Sequence, residues 1–176
     1  MVQDFNSDPY GLVNHLKEME KWAHFMIEKY PDVEQEIVLL SVWLHDIGHY
    51  PLPTDQDHAV RGEERARKFL EDHNYDDKKI EKVLHCVRAH RCRDVMPETK
   101  EAKIIAFIDS ASHMTDTMYL DIVREDKNNK AEPRVFAKME RDFRDLSWFP
   151  EVQKDLSELY DSWKKLLEAY QKIDFN

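Results

Sequence analysis

Hydrophobic residues recur at intervals of three and four along most of the chain, which is the pattern of amphipathic helices. The first predicted helix follows Ser7-Asp8-Pro9, because proline favours the first turn of a helix. Its apolar stripe consists of Leu12, His15, Met19, Trp22, Ala23 and Met26. The second helix is predicted to open at Pro31-Asp32 and to run to His45-Asp46. Gly48 ends it, and two prolines keep residues 48–57 in a loop.

Capping residues divide the middle of the chain into three further helices. Asp57 is predicted to begin the third helix, Asp76 to cap the fourth and Thr99 to cap the fifth. Residues 91–98 are predicted to connect the fourth helix to the fifth. Each helix places histidine or aspartate among its apolar positions: His58, Gly62, Ala66 and Phe69; then Ile80, Val83, Val87 and His90; then Ala102, Ile105, Ala106, Asp109 and His113.

The last part of the chain is predicted to add two amphipathic helices. Residues 126–130 are polar and are predicted to be a loop. Helices then open at Glu132-Pro133 and at Pro150-Glu151. No segment has the alternating pattern of a strand. The sequence therefore predicts an all-α fold, a single-domain helical bundle over residues 1–176 that helices 132–170 complete.

The composition narrows the classes of function. Hydrophobic residues make up 41% of the chain and charged residues 35%, which fits helices with long solvated faces. The formal net charge of −10 disfavours binding to a nucleic acid polymer. With only three glycines the chain has no glycine-rich phosphate loop. A phosphate group would have to be held by a metal or by basic side chains.

Targeting and redox signals are weak in this sequence. Cys86 and Cys92 suggest neither a disulfide framework nor a cysteine metal site. The N-terminal residues lack the basic and apolar regions of a signal peptide, and the longest apolar run is too short for a membrane span. We therefore expect a cytoplasmic protein without a membrane partner. The apolar faces of the C-terminal helices could pack against the bundle or form a homodimer, and the sequence does not decide between the two.

The pair His45-Asp46 carries the strongest chemical signal. It closes an apolar helix, where the charge of Asp46 opposes the helix dipole and calls for a cation nearby. Partners are available in His15, His58, His90 and Asp109, and converging imidazole and carboxylate groups suit a divalent metal. Other roles stay open for these four residues. His15 could be a core histidine and His58 an exposed one. His90 could cap the C-terminus of its helix, and Asp109 could form a core salt bridge to arginine.

The chain resembles the HD-domain superfamily of metal-dependent phosphohydrolases over residues 12–116. The segments that carry the resemblance are residues 14–23, Leu44-His45-Asp46-Ile47-Gly48-His49, and residues 57–62, 87–90 and 97–109. The resemblance implies an all-α bundle and a metal bound by His15, His45, Asp46 and Asp109. Members with two metals add two histidines at the positions of His58 and His90. It thus implies one or two divalent ions of Mn, Fe, Co, Ni, Zn or Mg, with Asp46 bridging when both are present.

The sequence departs from the family pattern at three places. Ser110-Ala111-Ser112 follows Asp109 where a second acid is common, and His49 stands where one branch has lysine. Arg91-Cys92-Arg93 replaces a motif of the branch that cleaves cyclic dinucleotides. These departures make cleavage of cyclic dinucleotides unlikely and leave the substrate open.

The resulting hypothesis is hydrolysis of a small phosphate ester, in the simplest case a nucleotide, by metal-activated water. Asp46 would orient the water and His49 could donate a proton to the leaving group. Basic residues near the ligands could hold the phosphate: Arg61, Arg91, Arg93 and Lys103. Two alternatives remain: a di-iron oxygenase on the same six-ligand set, and an inactive module that binds metal or nucleotide.

Overall fold

The structure is a computed structural model that describes residues 11–50, 55–125 and 131–172. In this part of the chain it contains eight α-helices and no strand, which confirms the all-α prediction. The helices are α1 (Leu12–Lys29), α2 (Gln35–Leu44), α3 (His58–Asp72), α4 (Asp77–Ala89), α5 (Lys100–Thr115), α6 (Met118–Glu125), α7 (Ala131–Asp145) and α8 (Pro150–Gln171). Short 3-10 turns at Ile47–His49 and Leu146–Trp148 follow α2 and α7.

Helix α5 forms the centre of the bundle. It packs against α1, α2, α4, α6, α7 and α8. Ile104, Ile105, Phe107 and Ile108 are all fully buried, although they point to different sides of the helix. A helix that is apolar on all sides is stable only when other helices surround it. This position matters for the site, because Asp109 lies on the same helix.

The predicted caps of three helices are confirmed by their hydrogen bonds. Asp57 accepts a hydrogen bond from the backbone N–H of Ala59. Asp76 accepts one from Lys79, and Thr99 accepts one from Ala102. Each cap satisfies a backbone donor that would otherwise lack a partner. The segment between α4 and α5 is irregular, as predicted.

Two boundaries differ from the sequence prediction. Helix α2 begins at Gln35 and not at Pro31-Asp32, because residues 31–33 form a turn in which Asp32 pairs with Lys100 of α5. The separate helix α6 was not predicted; its start is marked by Asp116, whose carboxylate accepts from the N–H of Met118. The predicted start at Ser7-Asp8-Pro9 and the predicted loop 126–130 lie outside the described residues.

A close backbone approach fixes the turn after α2. A Cβ atom added to Gly48 would lie 1.9 Å from the carbonyl oxygen of His58 and 2.6 Å from the backbone nitrogen of Gly62. Only glycine fits at this contact. It presses the turn Ile47–His49 against the first turn of α3 and brings the His-Asp pair close to His58.

The C-terminal helices cover one side of α5. Both α7 and α8 pack against it, and the turn Leu146–Trp148 adds a third contact. Val135 and Met139 of α7 and Leu167 of α8 are almost completely buried. Among the described helices, none combines the length and the apolar character that a membrane span requires.

Candidate metal centre

The first group of the centre joins α1, α2 and α5 through three side chains. His15 and His45 lie with their Nε2 atoms 3.2 Å apart. Asp109 Oδ1 lies 3.2 Å from the Nε2 atom of His15 and 3.8 Å from that of His45. Both histidines are buried, His45 completely. Three potential ligand atoms therefore converge on one point in the core.

The second group lies on the other side of Asp46. Its Oδ1 atom is 3.2 Å from His58 Nε2 and 3.7 Å from His90 Nε2, and these two nitrogens are 3.2 Å apart. The Oδ2 atom of Asp46 faces the first group, 3.3 Å from His45 Nε2. One carboxylate thus presents one oxygen to each group, which is the arrangement of a bridging ligand.

The outer hydrogen bonds turn these rings toward a cation. His45 Nδ1 lies 2.8 Å from the carbonyl of Val42, and His90 Nδ1 lies 2.6 Å from that of Val87, so both Nδ1–H groups donate outward. In the neutral rings the Nε2 lone pairs then point inward. The Nε2 atom of His45 lies 3.2 Å from that of His15, and the Nε2 atom of His90 lies 3.2 Å from that of His58, so each pair of nitrogens could bind one cation together. The residues present therefore fit a bound metal ion.

Comparison with known proteins agrees with this geometry. The HD domain family model matches residues 12–114, more than half of the chain. The chain belongs to the HD domain family. This is the superfamily of metal-dependent phosphohydrolases that the motifs indicated, and it implies metal-dependent, hydrolase-type activity. Neither the curated proteins nor the solved structures gave a match.

The electrostatics of the HD domain centre also favour a cation. Burial alone would lower the pKa of His45, but the carboxylates of Asp46 and Asp109 outweigh burial and raise it to about 9. Burial would raise the pKa values of both aspartates, but the surrounding histidines hold them well below their usual range. In the metal-free protein a proton on His45 supplies the positive charge that the two carboxylates require.

In the second group the pKa of a histidine is lowered and not raised. Burial, together with the nearby charge of His45, lowers the pKa of His90 to about 4. Its ring is therefore neutral at physiological pH and able to bind a metal without first losing a proton. A metal ion therefore competes with the proton of His45 in the first group, but it does not compete with a proton on His90 in the second.

This difference predicts the pH dependence of metal binding. Below pH 9 a cation entering the first group must displace the proton of His45. We expect its apparent affinity for Mn²⁺ to rise about tenfold per pH unit between about pH 6 and pH 8. Isothermal titration calorimetry in buffers of different ionisation enthalpy would measure the released proton. An affinity independent of pH in this range would contradict the prediction.

His49 lies beside the second group. Its Nε2 atom is 3.5 Å from Asp46 Oδ1, and its ring stacks on His58 at 4.0 Å between centroids. Two other histidines of the first four helices lie outside the two ligand groups. His24 is exposed on α1. His85 accepts a hydrogen bond from the backbone N–H of Glu98 and so helps to hold the connection between α4 and α5.

The basic residues predicted to hold phosphate differ in their exposure and in their partners within the protein. Arg91 forms an ion pair with Asp57, the cap of α3. The side chain of Arg93 is largely exposed; its partial burial, together with the charges of Arg91 and Arg141, lowers its pKa. The ammonium group of Lys103 lies over the ring of Trp148, 5.5 Å from its centroid. Arg61 is half-buried on α3.

Sequence reasoning missed a buried polar cluster next to Asp109. His113 follows Asp109 by one helical turn, and its Nδ1 atom lies 3.3 Å from Asp142 Oδ2 of α7. Lys138 and Tyr119 complete the cluster. The spacing of Asp109 and His113 on one face was visible in the sequence. The pairing with α7 was not, because no local pattern links two helices so far apart in the chain.

Proposed function

We propose that this HD domain hydrolyses a small phosphate ester, in the simplest case a nucleotide. The observation that supports the proposal is the pair of ligand groups that share Asp46. Paired metal sites of this kind serve phosphoryl transfer in many enzymes, because the attacking and the leaving oxygen atoms each carry developing negative charge. The family membership supports the same class of reaction.

The chain offers a complete set of ligands for this chemistry. His15, His45 and Asp109 would hold the first ion with Asp46. His58 and His90 would hold a second ion on the other oxygen of Asp46. A bound divalent cation supplies Lewis acidity, which lowers the pKa of a water molecule and draws charge from a phosphoryl oxygen.

The other steps fall to side chains at the open edge of the site. Asp46 would accept a hydrogen bond from the attacking water and fix its direction toward phosphorus. As the new P–O bond forms and the ester P–O bond breaks, the leaving oxygen requires a proton. His49 would donate it. Its partial exposure and its position beside Asp46 and His58 support this role.

Phosphate recognition is assigned to the basic residues around the site. Arg93 is the strongest member of this set, because its side chain is largely exposed. Partial burial first, and then the charges of Arg91 and Arg141, lower its pKa. A phosphate group would relieve this repulsion between like charges. Arg61, Arg91 and Lys103 would extend the same surface, although Arg91 and Lys103 have partners within the protein.

The proposal is tested by phosphate release from a panel of nucleotides and small phosphate esters. The protein is stripped with a chelator and reloaded separately with Mn²⁺, Fe²⁺, Co²⁺, Ni²⁺, Zn²⁺ or Mg²⁺. The assay is run in parallel with and without oxygen. We expect metal-dependent release of phosphate from at least one substrate, and equal turnover by the control His24→Gln, which changes an exposed histidine. Absence of release with every metal, or turnover that requires oxygen, would overturn the proposal.

A further inference from the structure

His113 touches the metal centre but has no part in the proposed chemistry. It is 4% exposed, and its Nε2 atom lies 3.7 Å from Asp109 Oδ1. Its ring stacks on that of His15, with centroids 4.8 Å apart and planes inclined by 11°. One histidine therefore contacts two of the potential ligands of the first group. Its distance from Asp109 is longer than a hydrogen bond but short enough for strong electrostatic interaction.

The far edge of the His113 ring faces a buried ion pair of α7. Lys138 Nζ lies 2.8 Å from His113 Nδ1 and 2.6 Å from Asp142 Oδ1. The hydroxyl of Tyr119 donates to Asp142 Oδ2 at 2.8 Å. Tyr119 and Asp142 are almost completely buried. The carboxylate of Asp142 thus has a partner on each oxygen and holds the ammonium group of Lys138 in place.

Two polar groups lie near the Nδ1 atom of His113, and they favour different positions of the ring proton. The ammonium group of Lys138 is 2.8 Å away and can only donate, whereas Asp142 Oδ2 is 3.3 Å away and can only accept. The shorter contact is the hydrogen bond, so it favours Nδ1 as the acceptor. A neutral imidazole that accepts at Nδ1 carries its proton on Nε2. That proton points to the side of the ring where Asp109 Oδ1 lies.

We propose that His113 is a positioning residue of the metal centre, held by Lys138 and Asp142 in the Nε2–H form, and that it acts on Asp109 and His15 without binding the metal. The inference rests on the metal centre of the proposed function but not on the phosphate ester. It makes α7 part of the centre, although all six potential ligands come from the chain up to α5.

The competing arrangement is His113 as a further ligand. His15, Asp109 and His113 place their ligand atoms close enough together to share an ion. To bind a metal, the Nε2 atom must offer a lone pair and so must carry no proton. The proton of the neutral ring would then lie on Nδ1. That N–H would point at the ammonium group of Lys138 across 2.8 Å. Two donors facing each other at this distance repel. Asp142 Oδ2 could accept the N–H instead, but it lies farther away, at 3.3 Å, so the closer contact with Lys138 favours the outer role.

The first test determines the tautomer of His113 by NMR in the protein loaded with diamagnetic Zn²⁺. Two-bond ¹H–¹⁵N spectra of the imidazole rings distinguish a protonated Nε2 from a protonated Nδ1, and His113→Gln identifies the signals. We expect the Nε2–H form. An Nδ1–H ring, or a ring protonated on both nitrogens, would overturn the proposal. A Lys138→Met variant removes the ammonium group at a partly exposed position, and we expect it to move the proton to Nδ1.

The second test compares the Mn²⁺ affinity of variants without any substrate. We expect His113→Ala to weaken binding about 10–100-fold, the usual effect of losing an outer residue that orients metal ligands, because Asp109 loses an electrostatic partner and His15 loses its stacked ring. His113→Gln should recover most of this loss, because its amide can donate to Asp109, and His24→Gln should bind as the unmodified protein does. Loss of a whole equivalent of metal at saturation in His113→Ala, or an affinity unchanged within about twofold, would overturn the proposal.

Both tests are independent of catalysis. If no phosphate ester is hydrolysed but the NMR and affinity results are as expected, the proposed function fails and the role of His113 stands. If phosphate is released but His113→Ala binds Mn²⁺ normally, the role of His113 fails and the proposed function stands.

Discussion

An Asp46→Asn variant is expected to lose both metal ions and to lower kcat/KM for a phosphate ester about 10³-fold or more. The two oxygens of Asp46 face different ligand groups, 3.3 Å from His45 and 3.2 Å from His58. Removing its charge therefore weakens both groups at once. Elemental analysis of the purified protein measures the metal content, and phosphate release measures the rate.

The same variant gives a second readout that does not depend on turnover. Because the charge of Asp46 is the largest influence that raises the pKa of His45, that pKa should fall in Asp46→Asn. NMR titration of the histidines in the metal-free variant measures this fall without any bound ion. The matched control is Asp72→Asn, since Asp72 is exposed on α3 and pairs only with the exposed Lys68. If Asp46→Asn kept both ions, Asp46 would not be a bridging ligand.

A Gly48→Ala variant is expected to be less stable by about 3 kcal/mol, which lowers the melting temperature by about 6–12 °C. A methyl group at Gly48 would overlap the carbonyl oxygen of His58 at 1.9 Å and the backbone of Gly62 at 2.6 Å. These are backbone atoms at the start of α3, so they cannot move aside as a flexible side chain would. The turn must separate from α3, which draws Asp46 away from His58.

Loss of the second ion should accompany the loss of stability. The affinity of the His58–His90 group for Mn²⁺ is expected to fall more than that of the first group, because only the second group spans the displaced contact. Gly11→Ala is the matched control. Gly11 has a φ of +64° but no atom within 4 Å of an added Cβ, so its cost of about 1 kcal/mol is conformational only. Equal effects of the two variants would argue against the close contact.

The fold and the inner site are predictable from sequence because their signals are local. Asp57, Asp76 and Thr99 cap helices through neighbouring backbone groups, and this chemistry is visible within four residues. Asp109 is conspicuous for a related reason: a carboxylate among apolar residues of a central helix needs cationic partners. The structure places it against histidines, with 3.2 Å to His15.

The remaining features depend on contacts between distant segments. Nothing near His113 in the sequence indicates that Lys138 and Asp142 will face it from α7. Nearness in sequence also misleads. Lys103 lies six residues before Asp109, but its charge is directed to the ring of Trp148.

The raised pKa of His45 affects the charge balance of the site before a metal binds. Without a bound metal, His45 is protonated up to about pH 9, so its imidazolium lies between the two acidic ligands. The interior charge is therefore balanced before metallation. The same imidazole that would bind the cation thus carries, when protonated, the positive charge that the two carboxylates require.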